Sequence, residues 1–293
     1  MITKKQIEEE IVRLITMDSV TRSYSQIASI KMKKIRETVL TARDFLEEIN
    51  EIFIEVLYSY RLEVIKLSKK RKVSKNNNIT FLAHNGRSVA VLISANSGLY
   101  GDLIARTFDS FIDRVRKTNN EVTIIGQIGL ALFQQLEPQR PYTFFELPDS
   151  KVDYIKLANI IKHLVEYEEI ILYYPKFQNV INQSPSVFTI SAGMKLDKLN
   201  VKAKREYIFE PNLENILIFF ETEIFNSLLE QTVNESQLAK FASRMLSLDK
   251  ASEKISERLL EIKIDKLRLI HRLNNKKQLH FLSSLSLWSG GTS

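Results

Sequence analysis

From Leu238 to Leu273 the side chains at alternating steps of three and four are Leu238, Phe241, Met245, Leu248, Ser252, Ile255, Leu259, Ile262, Lys266, Leu269 and Leu273. That spacing is the heptad rule for a helix burying one seam against another helix. Ser252 and Lys266 are its polar positions, so the seam is apolar but not uniformly so. Neither Gly nor Pro occurs between Asn212 and Ser289, so nothing in the sequence stops the helix. Unbroken, ~75 residues would span roughly 110 Å at about 1.5 Å each. A lone apolar stripe is unstable in water, so a helix of this length needs a partner.

The other end of the chain offers one. Met1 to Asn85 also contains no Gly or Pro, and Ala28, Met32, Ile35, Val39, Ala42, Leu46, Ile49, Phe53 and Val56 repeat the alternating step. Thr3 is the expected N-cap, and the helix is expected to reach about Ser68. The two terminal helices are therefore predicted to pack as a long antiparallel coiled coil. A four-helix bundle would need two more helices of similar length.

Between them the texture changes. All six prolines lie from Pro138 to Pro211, and six of the eight glycines from Gly86 to Gly193. Residues 79–84 and 88–94 flank Asn85-Gly86, a hairpin signal. A helix is expected over 102–117, a strand over 121–125, and a short helix after Gly126. Further strands are expected at 142–147, 169–174, 187–190 and 207–210, with a helix over 152–167. Alternating strands and helices predict an α/β domain with a largely parallel, Rossmann-like sheet. The division is 1–75 for the N-terminal coiled-coil helix, 76–211 for the inserted α/β domain and 212–293 for the C-terminal helix.

Composition bounds the chemistry. The 293 residues are 44% hydrophobic and 26% charged, ordinary for a folded chain, and the length suggests roughly two structural units. There is no cysteine, which excludes disulfides and thiolate chemistry. The charged start MITKKQIEEEIV does not resemble a signal peptide, and no apolar run is long enough for a membrane span. These features predict a cytoplasmic chain without direct membrane insertion. A net charge of +7 favours anionic partners. The basic run Lys66, Lys69, Lys70, Arg71, Lys72 and Lys75 suits a solvated helix end. No GxxxxGK[ST] loop, GxSxG elbow or HExxH pair is present, so no catalytic, cofactor or metal residues are expected. Gly98-Leu99-Tyr100-Gly101 lacks the GxGxxG spacing and reads as a tight strand-to-helix turn.

Several stretches resemble, in order, motifs of the gamma subunit of F-type rotary ATP synthases. The family pattern KITxAMxMVAxxKxxxA is similar to 19–31, keeping Thr21, Ala28 and Lys31. SDxGLCGGxN is similar to 95–102, keeping Gly98, Leu99 and Gly101. YNxFxNxxxQ resembles 174–183, YxFEPSxxxIL resembles 207–217, and ESxxSExxARMxAM resembles 235–248. There are departures. Tyr24 stands where the family has a methionine facing the catalytic subunits, Lys240 replaces an acidic residue, and the C-terminal RQxxITxE signature is not recognisable around 268–278. The Lys, Ile and Asn enrichment with these departures also resembles gamma-like subunits of the duplicated F-type-like ATPases of mollicutes, some tied to gliding.

The resemblance implies a non-catalytic central-stalk shaft without cofactor. It would turn inside a hexameric ring of alpha/beta-type ATPase subunits, with an epsilon-like or adaptor foot subunit at the α/β domain. Its location would be peripheral to the cell membrane through the larger complex. The implied charged ring contacts are Arg22, Lys31, Lys33 and Lys34 on the first helix, with Lys263, Lys266 and Arg268 on the last. Tyr24 would face the catalytic subunits, and Leu282, Leu285, Leu287 and Trp288 would sit in an apolar sleeve. The alternative is a standalone basic coiled-coil protein serving as a scaffold or nucleic-acid binder. The interleaved aromatics and base-facing polar groups of nucleic-acid readers are not found, so no nucleic-acid partner is expected.

Overall fold

The computed structural model describes residues 3–60, 85–191, 210 and 212–289, with the backbone alone at 58, 59, 191 and 285–289. The expected strands at 79–84 and 207–209, the basic run at 66–75 and the end of the first helix near Ser68 lie outside the described residues.

Helix α1 spans Lys4–Ser59. Thr3 begins it with a reciprocal capping box: its Oγ1 accepts from Gln6 N at 3.3 Å, and Gln6 Oε1 accepts from Thr3 N at 2.8 Å. Such a cap contributes about 1 kcal/mol by satisfying amides the helix leaves unpaired. The C-terminal helix runs Leu213–Ser289, and Asn212 Oδ1 accepts from Asn215 N at 2.8 Å at its start.

Between them lie β1 (Ser88–Ile93), α2 (Leu103–Lys117), β2 (Glu121–Ile125), α3 (Gln127–Leu136), β3 (Thr143–Phe145), α4 (Tyr154–Leu164), β4 (Glu169–Phe177) and β5 (Gln183–Ser191). The C-terminal helix is therefore α5. The sheet order is β3-β2-β1-β4-β5. The first three pairings are parallel and β4–β5 is antiparallel. The hairpin expected at Asn85-Gly86 is corrected by this topology. Parallel neighbours take both edges of β1, leaving no edge for an antiparallel strand arriving from 79–84. The helix expected over 152–167 starts at Tyr154, because Asp153 caps it by accepting from Ile155 N and Lys156 N.

Alternation along β1 decides the layers. Ala90 and Leu92 point to one face, where Phe108, Phe111 and Val115 of α2 and Phe133 of α3 cover them. Val89, Val91 and Ile93 point to the other, against Leu157, Ile160 and Leu164 of α4. Phe225, Leu229 and Val233 of α5 complete that second core. The sheet thus draws on the C-terminal helix for part of its own interior. Gly126, between β2 and α3, has φ +106, and a Cβ there would lie 2.8 Å from Ala95 N, so only glycine fits.

The chain forms two compact units, Met1–Ile27 with Met245–Ser293, and Ala28–Arg244. In the first, α1 and α5 run antiparallel: Glu8 meets Lys266, Asp18 meets Ser252, and Ser25 meets Asp249. In the second, Lys31 meets Phe241, Arg43 meets Glu235, and Phe53 stacks on Phe220. Ala28, Val39, Ile49, Phe53 and Val56 are buried on α1, as are Leu238, Phe241, Leu248, Ser252 and Ile262 on α5. These are the heptad positions.

Candidate functional site

Two regions concentrate side chains that the fold alone does not explain. The first is the helix pair of the first unit. Its polar seam positions are matched to acids across the seam: Ser252 Oγ donates to Asp18 Oδ1 at 2.6 Å, and Lys266 Nζ lies 3.0 Å from Glu8. With the seam satisfied, large apolar groups still face outward. Val12, Ile15, Val20 and Tyr24 on α1 are 64%, 51%, 49% and 51% exposed, and Leu260 and Leu267 on α5 are 64% and 58% exposed. Every residue from His271 to Ser284 is exposed. Exposed apolar groups of this size are the material an interaction surface would use.

The residues implicated by sequence divide within this geometry. Arg22 pairs with Asp18 at 2.8 Å, Lys266 with Glu8, and Arg268 with Asp265 at 3.3 Å. Lys31 lies 5.6 Å from the Phe241 ring centroid in the second unit. Lys33, Lys34 and Lys263 are exposed, as are Tyr24 and Leu282. Leu285, Leu287 and Trp288 fall on α5, with their side chains outside the described ones.

The second region is the turn after β1, where the carboxyl ends of the strands form the crevice that takes ligands in doubly wound folds. Here the chain's own helix fills it. Lys240 Nζ donates to Ser94 O at 2.9 Å and to Asp149 Oδ1 at 3.1 Å. The two side chains are 6% and 9% exposed. Asp149 Oδ2 also accepts from Asn96 N, Ser97 N and Ser97 Oγ. Ser243 Oγ donates to Tyr100 O at 2.7 Å. Arg244 Nη2 donates to Ser97 Oγ and Gly98 O at 2.8 Å each, with the guanidinium 4.2 Å from the Tyr100 ring centroid.

Burial pushes the Lys240 ammonium pKa down, against the raising effect of Asp149. Burial also opposes the charged form of Asp149, but the Lys240 charge and the Asn96 and Ser97 amides outweigh it and hold its pKa below 3.8. Burial pushes the Tyr100 phenol up to about 12. The residue held at positive φ in this turn, besides Gly101, is Leu99, at φ 73. The turn is thus strained at a leucine, while a Cβ on Gly98 would meet open space.

Sequence reasoning singled out Lys240 as a departure but missed Asp149. The carboxylate sits 91 residues before its partner, in a loop with no motif of its own. The pairing exists only once α5 lies across the sheet.

A family model described as ATP synthase matches residues 3–269. The ATP synthase gamma chain of Ruthia magnifica subsp. Calyptogena magnifica is 21% identical over 276 residues, covering 90% of this chain and 92% of the relative. That of Laribacter hongkongensis is 24% identical, also covering 90% and 92%. That of Mycoplasma capricolum is 24% identical, covering 89% and 91%. Among solved structures, a chain of the Euglena gracilis mitochondrial ATP synthase OSCP/F1/c-ring assembly superposes with TM-score 0.55 at 13% identity, covering 89% of this chain and 96% of that one. A chain of the Tetrahymena thermophila mitochondrial ATP synthase central stalk and c-ring gives TM-score 0.53 at 19% identity, covering 80% and 99%. With its terminal helices paired around a mixed sheet and its sequence matched from residue 3 to 269, the chain belongs to the ATP synthase gamma-chain family, the central-stalk subunit of F-type ATP synthases.

Proposed function

We propose that the helix pair of the first unit turns inside a ring of alpha/beta-type subunits that carry the catalytic sites, while the sheet domain meets a foot subunit outside it. The observation that carries this is the outward apolar surface of a pair whose seam is already filled. A rotating contact cannot rely on fixed directional bonds. Exposed Val12, Ile15 and Leu260 give a surface that can be covered at any angle, at roughly 25 cal/mol per Å². Two helices side by side are not round in section. Turning the pair therefore presses successive ring subunits differently and links closure of each site to angle.

Charges would set the angular preference. Arg22, Lys266 and Arg268 are already engaged within the chain, which makes exposed Lys33, Lys34 and Lys263 the freer cations for acidic ring loops. The surface pairs of the first group contribute little, about 0–1 kcal/mol each, so a ring acid can exchange for the internal one. Leu282, on the stretch of α5 exposed from His271 to Ser284, would form the sleeve end together with Leu285, Leu287 and Trp288. No helix among the described residues is long and apolar enough to cross a membrane. Membrane association, on the cytoplasmic side, would come through the larger complex.

The test is reconstitution. Alone, the purified chain should hydrolyse no ATP and bind no nucleotide in calorimetry. Added to the ring subunits, it should co-purify with them and change their hydrolysis rate. A ring that excludes the chain, or stoichiometric nucleotide binding by the chain alone, contradicts the proposal.

A further inference from the structure

The stretch of α5 that crosses the sheet domain differs from the rest of the helix. Every residue from Thr232 to Ser243 is buried, with α1 on one side and the sheet on another. A helix enclosed on all sides is usually apolar all round. This one instead buries Glu235, Gln237, Lys240 and Ser243, each bonded to a different neighbour. Glu235 accepts from Arg43 of α1 and from the Tyr174 hydroxyl of β4. Gln237 donates to Pro148 O, Lys240 to Ser94 O and Asp149, and Ser243 to Tyr100 O.

Apolar contacts resist separation but only weakly resist turning, because they have no preferred direction. A helix advances about 100° per residue, so a small rotation in a greasy channel exchanges one set of contacts for another. Directional bonds to several surrounding elements remove that freedom. The Lys240–Asp149 pair does so most strongly. Turning α5 would leave an ammonium and a carboxylate buried and separated, the arrangement that makes buried ion pairs effective at fixing register. Asp149 is itself anchored by the Asn96 and Ser97 amides. Load on Lys240 therefore passes through Asp149 into the turn at the end of β1.

We propose that Lys240, held by Asp149 and the Ser94 carbonyl, is a torsional pin that fixes the rotational register of α5 in the sheet domain, so that twist carried by the helix reaches the domain without slip. It is a positioning residue, and its mechanical meaning rests on the rotor role proposed above.

The chain has no cysteine, which makes site-specific labelling clean. Spin labels at Ile155→Cys on α4 and Phe219→Cys on α5, 79% and 59% exposed in the wild-type chain, report the angle of the helix within the second unit. In the full-length protein the pair Lys240→Met/Asp149→Asn removes both charges yet keeps an acceptor for the Asn96 and Ser97 amides. It should melt near the wild-type temperature while the label distance distribution broadens severalfold. In the assembled ring, with a bead attached through Ile155→Cys, ATP hydrolysis should continue at the wild-type rate while the loaded bead turns severalfold more slowly. A defect of folding alone would lower both rates together.

Superimposable distance distributions and a bead that keeps pace would overturn the pin and leave the rotor role intact. A wild-type chain that turns no bead in a hydrolysing ring would sink the rotor role. The label distances would then still decide whether Lys240 sets the register. If the double variant does not fold, Asp149→Asn alone carries the same measurements with a neutral partner for Lys240.

Discussion

Lys240 and Asp149 hold opposite charges in a place from which solvent is nearly absent, and each needs the other. Replacing Lys240 by Met alone leaves the carboxylate buried without its cation, and breaking such a pair costs about 3–5 kcal/mol. Urea unfolding should show that loss, and the added Asp149→Asn change should recover most of it. Acid provides a second measurement. The pKa of Asp149 is lowered in the folded state, so the stability it contributes is fully present above its unfolded pKa of 3.8 and is lost as pH falls through the folded value. Urea midpoints measured from about pH 5 down to pH 2 should fall more steeply for wild type than for Asp149→Asn. Parallel curves would mean that the carboxylate has no such preference. None of this was legible in the sequence beyond the oddity of a lysine at position 240, because the partner is supplied by tertiary packing.

The helices were legible for the opposite reason: their signal is local and repeats. Alternating three-four spacing picks out Ile262, which is 4% exposed, and Ser252, which is 9% exposed, but it runs too far at Leu273, which is 41% exposed because the described part of α1 offers no partner there. A carboxylate at Ile262 would be buried with only Lys266 of the seam in reach, a cation already paired with Glu8, so Ile262→Asp should cost on the order of several kcal/mol. Hydrogen exchange should then quicken in 4–27 and 245–270, while β1, β2 and β4 keep their protection. Equal loss in the sheet would mean that the first unit has no independent stability. What periodicity could not reveal was the change of neighbours along α5. From Phe225 to Val233 it faces the sheet, and an inward-facing seam residue has the same spacing whichever element covers it. The Asn85-Gly86 hairpin failed similarly. A turn dipeptide reports local backbone preference and carries no information about which edges of β1 the later strands will take.

For the whole molecule, the family follows from matched sequence over residues 3–269, while the mechanical role depends on what surrounds the first unit. Truncating 281–293 should weaken assembly with the ring and leave the fold of the second unit unchanged, since in sequence they follow Lys266 and Arg258, the residues that pair with Glu8 and Glu10. Emission from Trp288, the only tryptophan, should shift blue when ring subunits are added to the full chain.

The enclosure itself is tested most directly by labelling. Val20, 49% exposed on α1, and Ile155, 79% exposed on α4, can each be replaced singly by cysteine in a chain that has none. In the isolated protein, Val20→Cys and Ile155→Cys should both react readily with a maleimide. In a ring complex that hydrolyses ATP and lacks any foot subunit, Val20→Cys should be protected while Ile155→Cys reacts as before. Undiminished labelling of Val20→Cys in that active complex would place the helix pair outside the ring and contradict the central-shaft account.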